Sequence, residues 1–591
     1  MTKNLENVRV ILATDCGSTT SKARLFKKLN EEYRFVASGE APTTVEAPLE
    51  DVTIGVRNAI REVEELTGHK LLSPEGVISP RKRDNAGVDL FITTSSAGGG
   101  LQMMVAGITE TITASTAERT ALGAGAIVMD VMAYDDGREV YQKIQRLRSL
   151  RPDMILIAGG TDESQGSSLS TIGEMLLVAD PKPRLGSSFK LPIIFAGSVN
   201  AREAMKKLLG GKFALRVVDN VRPSLNVENL EPARALIHEF FMEHVMSQAP
   251  GYSKLIKWTP VPIMPTPLGE GAMFQTVAKE YGVNLLGAGL GGATTNIYSL
   301  YKGIFLRTVS ANLGMSYSLG NVLKEATVEN IKRWLPFEVD ESLLCDKIAN
   351  KVVHPTTVPQ TLEDLMIEQA SAREALRLSF QHHQRLVQSS KRYHIDLMKF
   401  DLIGGTGGLL SNAPRRIQSA LMLIDGFRPE GITRLIQDSV FMMPHLGVLL
   451  TYHPQAAMQI LEKDCLIKLG TCLALQGQLD EGGDPHVGRL TVKMPDGRRL
   501  RENIVFGTIK RLPLGVGEVA DVEVRTSWGF SVGGWFGRLR SRIEGGVAGI
   551  IIDARGRPLL LPDDEEGRRR KIIEWFTDLD LYPREALKEM T

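Results

Sequence analysis

An aspartate, a glycine and a run of hydroxyl residues follow one another in "ILATDCGSTTSKARLF", Ile11 to Phe26, between two apolar runs. Glycine lets backbone N–H groups approach an anion closely, and Ser or Thr hydroxyls add donors. Gly17, Ser18, Thr19 and Thr20, with Lys22 just beyond, therefore suit a phosphate clasp. Asp15 at the strand end would face a metal ion bound to those phosphates, and is the expected metal ligand. A similar loop recurs near mid-chain, where Gly291, Gly292, Thr294 and Thr295 lie between two extended runs. A third, "FDLIGGTGGLLSN", supplies Gly404, Gly405, Thr406, Gly407 and Gly408. Asp162 in "MILIAGGTDES" is the second candidate acid, again beside glycines after an apolar run.

Two familiar nucleotide motifs do not account for these loops. No G-x-x-x-x-G-K-[ST] occurs, which removes P-loop chemistry. "GAGLGG", Gly287 to Gly292, fits G-x-G-x-x-G, but the residues after it are β-branched and aromatic and read as a strand. No acid follows until Glu325, too far to hold a ribose, so a dinucleotide fold is rejected.

The elements that must carry the loops are legible from apolar patterning. Val8 to Lys27 reads as strand, turn, strand, and Val283 to Leu306 repeats that design, which predicts a duplicated fold. Short apolar runs ending in glycine, Leu90 to Gly100, Met154 to Ser164 and Leu191 to Asn200, predict buried strands delivering loops to a sheet edge. Helices are predicted over Ala117–Val131, Ala201–Leu209, Pro232–Val245 and Leu362–Gln388, and a further one over Pro414–Ile424 with Asn412 as its cap. The expected class is α/β, with a C-terminal β-rich domain from about Gly488 to Pro562. A charged tail helix, expected to be a solvated cap, follows.

With 591 residues and 43% hydrophobic residues, the chain can bury more than one core. Lys plus Arg (70) nearly balance Asp plus Glu (69), so no global basic field exists to hold nucleic acid or an anionic membrane. No signal segment and no membrane-length apolar run is present, and a cytoplasmic location is expected. The four cysteines lack metal-site spacing, and Cys16 is taken as a small buried side chain. His382, His383 and His394 are expected on a solvated helix face.

"DCGSTTSKARLF", "GGATTNIYS" and "LIGGTGGLLSN" resemble the two phosphate motifs and the adenosine motif of the actin-like ATPase superfamily. A narrower likeness runs through "TASTAERTALGAGA", "ILIAGGTDES", "VDNVRPSLNVENLEPAR", "PIMPTP" and "GGVAGIIIDARGRPLLLP". It resembles the glutamate mutase accessory protein family, labelled MutL or GlmL and unrelated to mismatch repair. The resemblance implies two duplicated ribonuclease H-like domains, over 1–215 and 216–487, followed by the β domain over 488–562 and the tail over 563–591. It also implies ATP and Mg²⁺ as cofactors, and partnership with an adenosylcobalamin-dependent mutase that the protein reactivates.

Three departures from the family pattern bear on chemistry. Gly289, Asn296 and Asn312 stand where the family carries carboxylates near the γ-phosphate. An amide coordinates metal weakly and cannot act as a base. The expected function is an ATP-binding reactivating factor with Asp15 and Asp162 as catalytic acids; the alternative is a nucleotide-binding adaptor without hydrolysis. A small-molecule kinase of the same fold would need a base aimed at a substrate hydroxyl, and none is evident.

Overall fold

The computed structural model describes the chain except residues 1–7, 47, 97–100, 125, 165–166, 184–189, 242–249, 312, 390–394, 481, 534 and 591. Two compact units emerge: 1–269 with 307–311 and 385–392, and the remainder.

In the first unit β1 (Val10–Cys16), β2 (Thr20–Leu29) and β3 (Glu32–Pro42) form an antiparallel meander. The central strand β1 is buried throughout, which is why its sequence is apolar up to Thr14. Helix α1 (Val52–Thr67) is capped by the Asp51 carboxylate, which accepts from the Thr53 amide, and ends at Gly68 in a left-handed conformation. β4 (Leu90–Ser95) then returns parallel to β1.

At this point the chain leaves the sheet. β5 (Gln102–Gly107), α2 (Ser115–Gly123), β6 (Ile127–Ala133), β7 (Met154–Ile157), α3 (Ser167–Ala179), β8 (Pro192–Phe195), α4 (Arg202–Leu209) and β9 (Ala214–Val217) follow. Their five strands are all parallel in the order β9-β8-β7-β5-β6. Alternate residues serve opposite cores: Met103 and Val105 pack with Ala117, while Met104 and Ala106 pack with Leu169 and Ile172. This is a doubly wound sheet of its own, inserted between β4 and residue 264 and running past the boundary expected at residue 215. The helix expected over Ala117–Val131 ends at Gly123, and the β-branched residues after it form β6. β10 (Met264–Pro265) finally returns beside β4, completing the order β10-β4-β1-β2-β3.

Helix α5 (Thr266–Tyr281) leads to β11 (Leu285–Leu290), β12 (Thr294–Tyr301) and β13 (Ile304–Ala311). α6 (Leu362–Ser389), β14 (Leu402–Thr406), α7 (Arg416–Phe427), β15 (Gly431–Asp438) and β16 (Leu466–Ala474) continue the chain. The sheet begins β13-β12-β11-β14-β15, with β12 antiparallel and β14 parallel to β11. The first sheet has the same order and directions, so the ribonuclease H-like arrangement of the actin-like ATPase fold occurs twice. The N-cap of α7 is Arg415, backed by the Gln418 side chain, rather than Asn412, which closes the short helix Gly408–Ser411.

The C-terminal region builds β17 (His486–Lys493), β18 (Arg499–Val505), β19 (Ile509–Leu512), β20 (Val519–Thr526), β21 (Arg538–Glu544) and β22 (Gly549–Asp553). Four of them make a sheet in the order β18-β17-β20-β21. β22 and β19 instead extend the second large sheet beyond β16. All five residues of β22 are buried, and a strand covered on both faces needs a thicker structure than one small sheet gives.

The tail helix α8 (Glu565–Asp578) is not a solvated cap: Ile572, Trp575 and Phe576 are buried, as are Leu579, Leu581 and Tyr582 after it. Its charged start presents the polar side of an amphipathic helix, and the charge run masks the apolar stripe in the sequence. His383 likewise departs from the solvated face expected of it. It is fully buried in α6, with Nε2 2.9 Å from Ser299 Oγ, and burial lowers its pKa to about 3. His382 is half-buried, and His394 lies outside the described residues.

Below a pKa near 6.5 the unfolded chain protonates His383 while the folded protein keeps it neutral down to about 3. Stability is therefore lost as pH falls through that window, by up to about 1.4 kcal/mol per pH unit, and is flat above it. Urea midpoints at pH 7 and pH 5 should differ less for His383→Gln than for the natural protein; an equal difference would remove His383 as the cause.

Candidate functional site

The β1–β2 turn holds its residues by close backbone packing. A Cβ on Gly17 would lie 2.6 Å from the Thr20 carbonyl oxygen, so only glycine fits. Thr43 Oγ1 donates to the Gly17 carbonyl at 2.8 Å, and the Thr43 amide to the Thr19 carbonyl at 2.9 Å. Ser18, Thr19 and Thr20 stay partly exposed beyond these anchors.

Asp15 is next to last in β1, with its carboxylate 1% exposed. Its Oδ1 accepts from Thr94 Oγ1 at 2.8 Å and Thr266 Oγ1 at 2.6 Å, and Oδ2 lies 4.0 Å from Lys22 Nζ. Lys22 pairs with Asp15 across the hairpin because the antiparallel register sets them opposite each other. The result is a fixed carboxylate with one oxygen turned toward the glycine turn. Cys16 beside it is fully buried, and burial raises its thiol pKa, which keeps it protonated.

The β11–β12 turn repeats the geometry. A Cβ on Gly291 would meet the Thr294 carbonyl oxygen at 3.0 Å, the counterpart of Gly17 and Thr20. The Gly291 and Gly292 carbonyls accept from the Met315 and Ser316 amides, both at 2.9 Å, and Thr295 Oγ1 donates to the Leu313 carbonyl.

The third glycine run divides between two roles. Gly404 and Gly405 are buried inside β14, where an added Cβ would press on Phe274 at 2.7 Å and on Leu410 at 3.0 Å. Their absent side chains admit the covering helices. Thr406 Oγ1 donates to Asp438 Oδ2 at 2.9 Å, and that carboxylate also accepts the Met442 and Met443 amides. Gly407, at φ +110°, comes so near the Leu290 backbone that a Cβ would lie 2.2 Å from its carbonyl oxygen. Gly408 opens a short helix on a side where a Cβ meets nothing within 4 Å.

Asp162 follows β7 and therefore belongs to the inserted sheet, not to the sheet that carries Asp15. Its carboxylate accepts from Asn220 Nδ2 at 2.9 Å, and its backbone carbonyl from Asn200 Nδ2 at 3.1 Å. Those contacts are what a turn-fixing aspartate makes.

Sequence reasoning missed Glu270. This residue of α5 is 3% exposed and reaches the strand pair β11–β12. Tyr298 Oη donates to Glu270 Oε2 at 2.6 Å and Asn296 Nδ2 donates at 3.1 Å. A Cβ on Gly289 would stand 2.2 Å from the same oxygen, so Gly289 makes the room that Glu270 fills. One helical turn on, Phe274 covers Gly287 at 3.0 Å. Residues four apart on a helix thus match residues two apart on a strand, which explains the alternating glycines of "GAGLGG". Among the described residues, Asn296 Oδ1 is buried without a hydrogen-bond partner. A carboxylate is therefore present beside both Gly289 and Asn296, supplied from another element; Asn312 lies outside the described residues.

Residues 11–465 match the model of the family described as MutL protein. The chain belongs to the MutL protein family. Protein MutL of Clostridium tetanomorphum is 28% identical over 489 residues, covering 76% of this chain and 98% of the relative. Among solved structures, nucleotide-free acetone carboxylase is similar at 11% identity, TM-score 0.34, covering 74% of this chain and 70% of that one. The nucleotide-free diol dehydratase-reactivating factor is similar at 9% identity and TM-score 0.31, covering 76% of this chain and all (100%) of that one. The assignment of fold rests on the repeated strand order rather than on these superpositions. No helix among the described residues is long and apolar enough to cross a membrane.

Proposed function

We propose that this MutL-family chain binds ATP with Mg²⁺ and acts as a reactivating accessory factor for an adenosylcobalamin-dependent mutase. The observation that carries the proposal is the repeated hairpin: Gly17 against Thr20 in one sheet, Gly291 against Thr294 in the other. Backbone amides and hydroxyls of Ser18, Thr19, Thr20, Thr294 and Thr295, with Lys22, are the phosphate donors. Gly407 and Gly408 serve the adenosine.

The residues present suit a magnesium nucleotide, because Mg²⁺ takes one or two carboxylates and leaves the rest of its shell to phosphates and water. Asp15 is the metal-side acid, with Oδ1 already occupied by two threonines and Oδ2 turned to the glycine turn. Bound Mg²⁺ supplies neutralisation of phosphate charge. Glu270 is the carboxylate that orients or deprotonates a water, in the role lost from Gly289 and Asn296. Asp162, fixed in its turn by Asn220, is a lesser candidate.

The test is ATP affinity by calorimetry and phosphate release with Mg²⁺, for the natural protein and Asp15→Asn. Turnover should fall on the order of 10²-fold in the variant while the fold is kept. No measurable affinity of the natural protein for ATP would refute the proposal. A second reading, an adaptor that binds ATP without hydrolysis, is favoured by Gly289 and Asn296; binding with no phosphate release in the natural protein would establish it. The partnership is tested by adding the protein and ATP to an inactivated cobalamin-dependent mutase and following recovery of its activity.

A further inference from the structure

The outer face of the four-stranded C-terminal sheet carries cations that its folding does not require. Inward, Leu490, Val492, Ile504, Val522, Val524 and Ile543 form the core. Outward, the register aligns three rows. Arg499, Lys493, Asp521 and Arg542 form the first; Arg501, Thr491, Glu523 and Arg540 the second; Asn503, Arg489, Arg525 and Arg538 the third. Only Asp521 and Glu523 are acidic, in a chain whose overall formal charge is +1.

Several cations stand directly opposite one another: Lys493 faces Arg499, and Arg525 faces both Arg489 and Arg538. Such cross-strand like-charge pairs destabilise a sheet, so packing gives no reason for them. Glu523 is shared by Arg525 at 2.8 Å, Arg538 at 2.6 Å and Arg540 at 2.9 Å. These hydrogen bonds, that of Arg538 foremost, bring its carboxyl down to about 2. Among the described residues Arg489, Lys493, Arg499 and Arg501 have no acidic partner, and all four are exposed.

The chemistry of the face narrows its occupant. All its cations except Lys493 are arginines, whose planar forks match carboxylates two bonds at a time. No aromatic ring lies among the three rows to stack bases, as single-stranded nucleic acid would need. No apolar side chain projects there to enter a membrane. Trp528 is 100% exposed, three residues beyond Arg525, and Trp beside Arg is the pairing that anchors protein interfaces.

We propose that this face docks an acidic, Asp- and Glu-rich surface of a protein partner, with Trp528 as an anchor at its edge. The sheet lies beyond residue 465, where the family match ends. Docking through it requires neither ATP nor Asp15.

The test uses the full chain without nucleotide. Fluorescence anisotropy follows a labelled polyglutamate peptide of about 20 residues, with a thymidine strand of equal length and phosphatidylserine vesicles as comparisons, across a salt series. The peptide should bind most tightly, and R489E/R501E/R540E should weaken it at least about tenfold. Two single variants guard against misfolding. Arg489→Gln should bind more weakly yet unfold at the same or a higher temperature, because it removes a like-charge pair. Glu523→Gln should bind more tightly. Unchanged peptide binding by the triple variant, or tighter binding of the thymidine strand or the vesicles, would overturn the proposal.

Discussion

Glu270→Gln is expected to lower ATP turnover by about 10²- to 10³-fold while leaving ATP affinity nearly unchanged. The amide keeps an acceptor for Tyr298 and Asn296, so the buried contacts at 2.6 and 3.1 Å survive and the loss isolates the carboxylate charge. Steady-state phosphate release against pH is the decisive measurement. A carboxylate that takes a proton from water leaves an acidic limb in the profile, and a purely structural side chain does not. Gly289→Asp alone should destabilise the second unit by about 1–3 kcal/mol, because its Cβ meets Glu270 Oε2 at 2.2 Å. Gly289→Asp with Glu270→Ala exchanges one carboxylate source for the other, and should recover both stability and part of the turnover. Wild-type turnover by Glu270→Gln would show that the site hydrolyses ATP without this acid.

Arg555→Met is expected to destabilise the second unit by about 3–5 kcal/mol, because it removes the one cation that two buried carboxylates share and leaves each with half of its pairing. Arg555 bridges Asp425 at 2.8 Å and Asp553 at 2.9 Å, all three nearly inaccessible, and Arg557 adds a further bond to Asp553 at 2.8 Å. Arg373 completes the set on Asp425 at 2.8 Å, and the Trp575 ring lies 4.9 Å from the Arg555 guanidinium. Burial pushes the Asp553 carboxyl up, but Arg555 and Arg557 outweigh it and leave the group well below the usual carboxylate range. The network ties α6, α7, the end of β22 and α8 together, which is why "DARGRP" carries so many charges in an otherwise apolar setting. Urea unfolding followed by Trp fluorescence reads the loss. A change below about 1 kcal/mol would mean that the network is solvated and its charges replaceable.

Much of this architecture was legible before any coordinates. Two strand–turn–strand patterns with turns rich in glycine and threonine predict two copies of one sheet, because a hairpin needs only local periodicity and a turn that backbone sterics allow. The place of Asp15 near a strand end, beside its own loop, was legible for the same reason. The packing of Gly404 and Gly405 against Phe274 and Leu410 was not legible, since glycine that admits a helix and glycine that admits a phosphate look alike in one dimension. The docking of α8 was hidden by the charges that surround its apolar stripe.

The features readable from the chain alone are local: the turns, the strand periods, the balance of charge, and the family to which residues 11–465 belong. Which distant residues meet is set by tertiary packing. It separated Asp162 from Asp15 by closing β5 to β9 into a sheet of their own, and it carried β22 into the second large sheet. It also set Glu270 against Gly289 and Asn296 through the matching rise of a helix and a strand. Long-range contacts of this kind depend on which faces are buried together, and no window of sequence contains both partners.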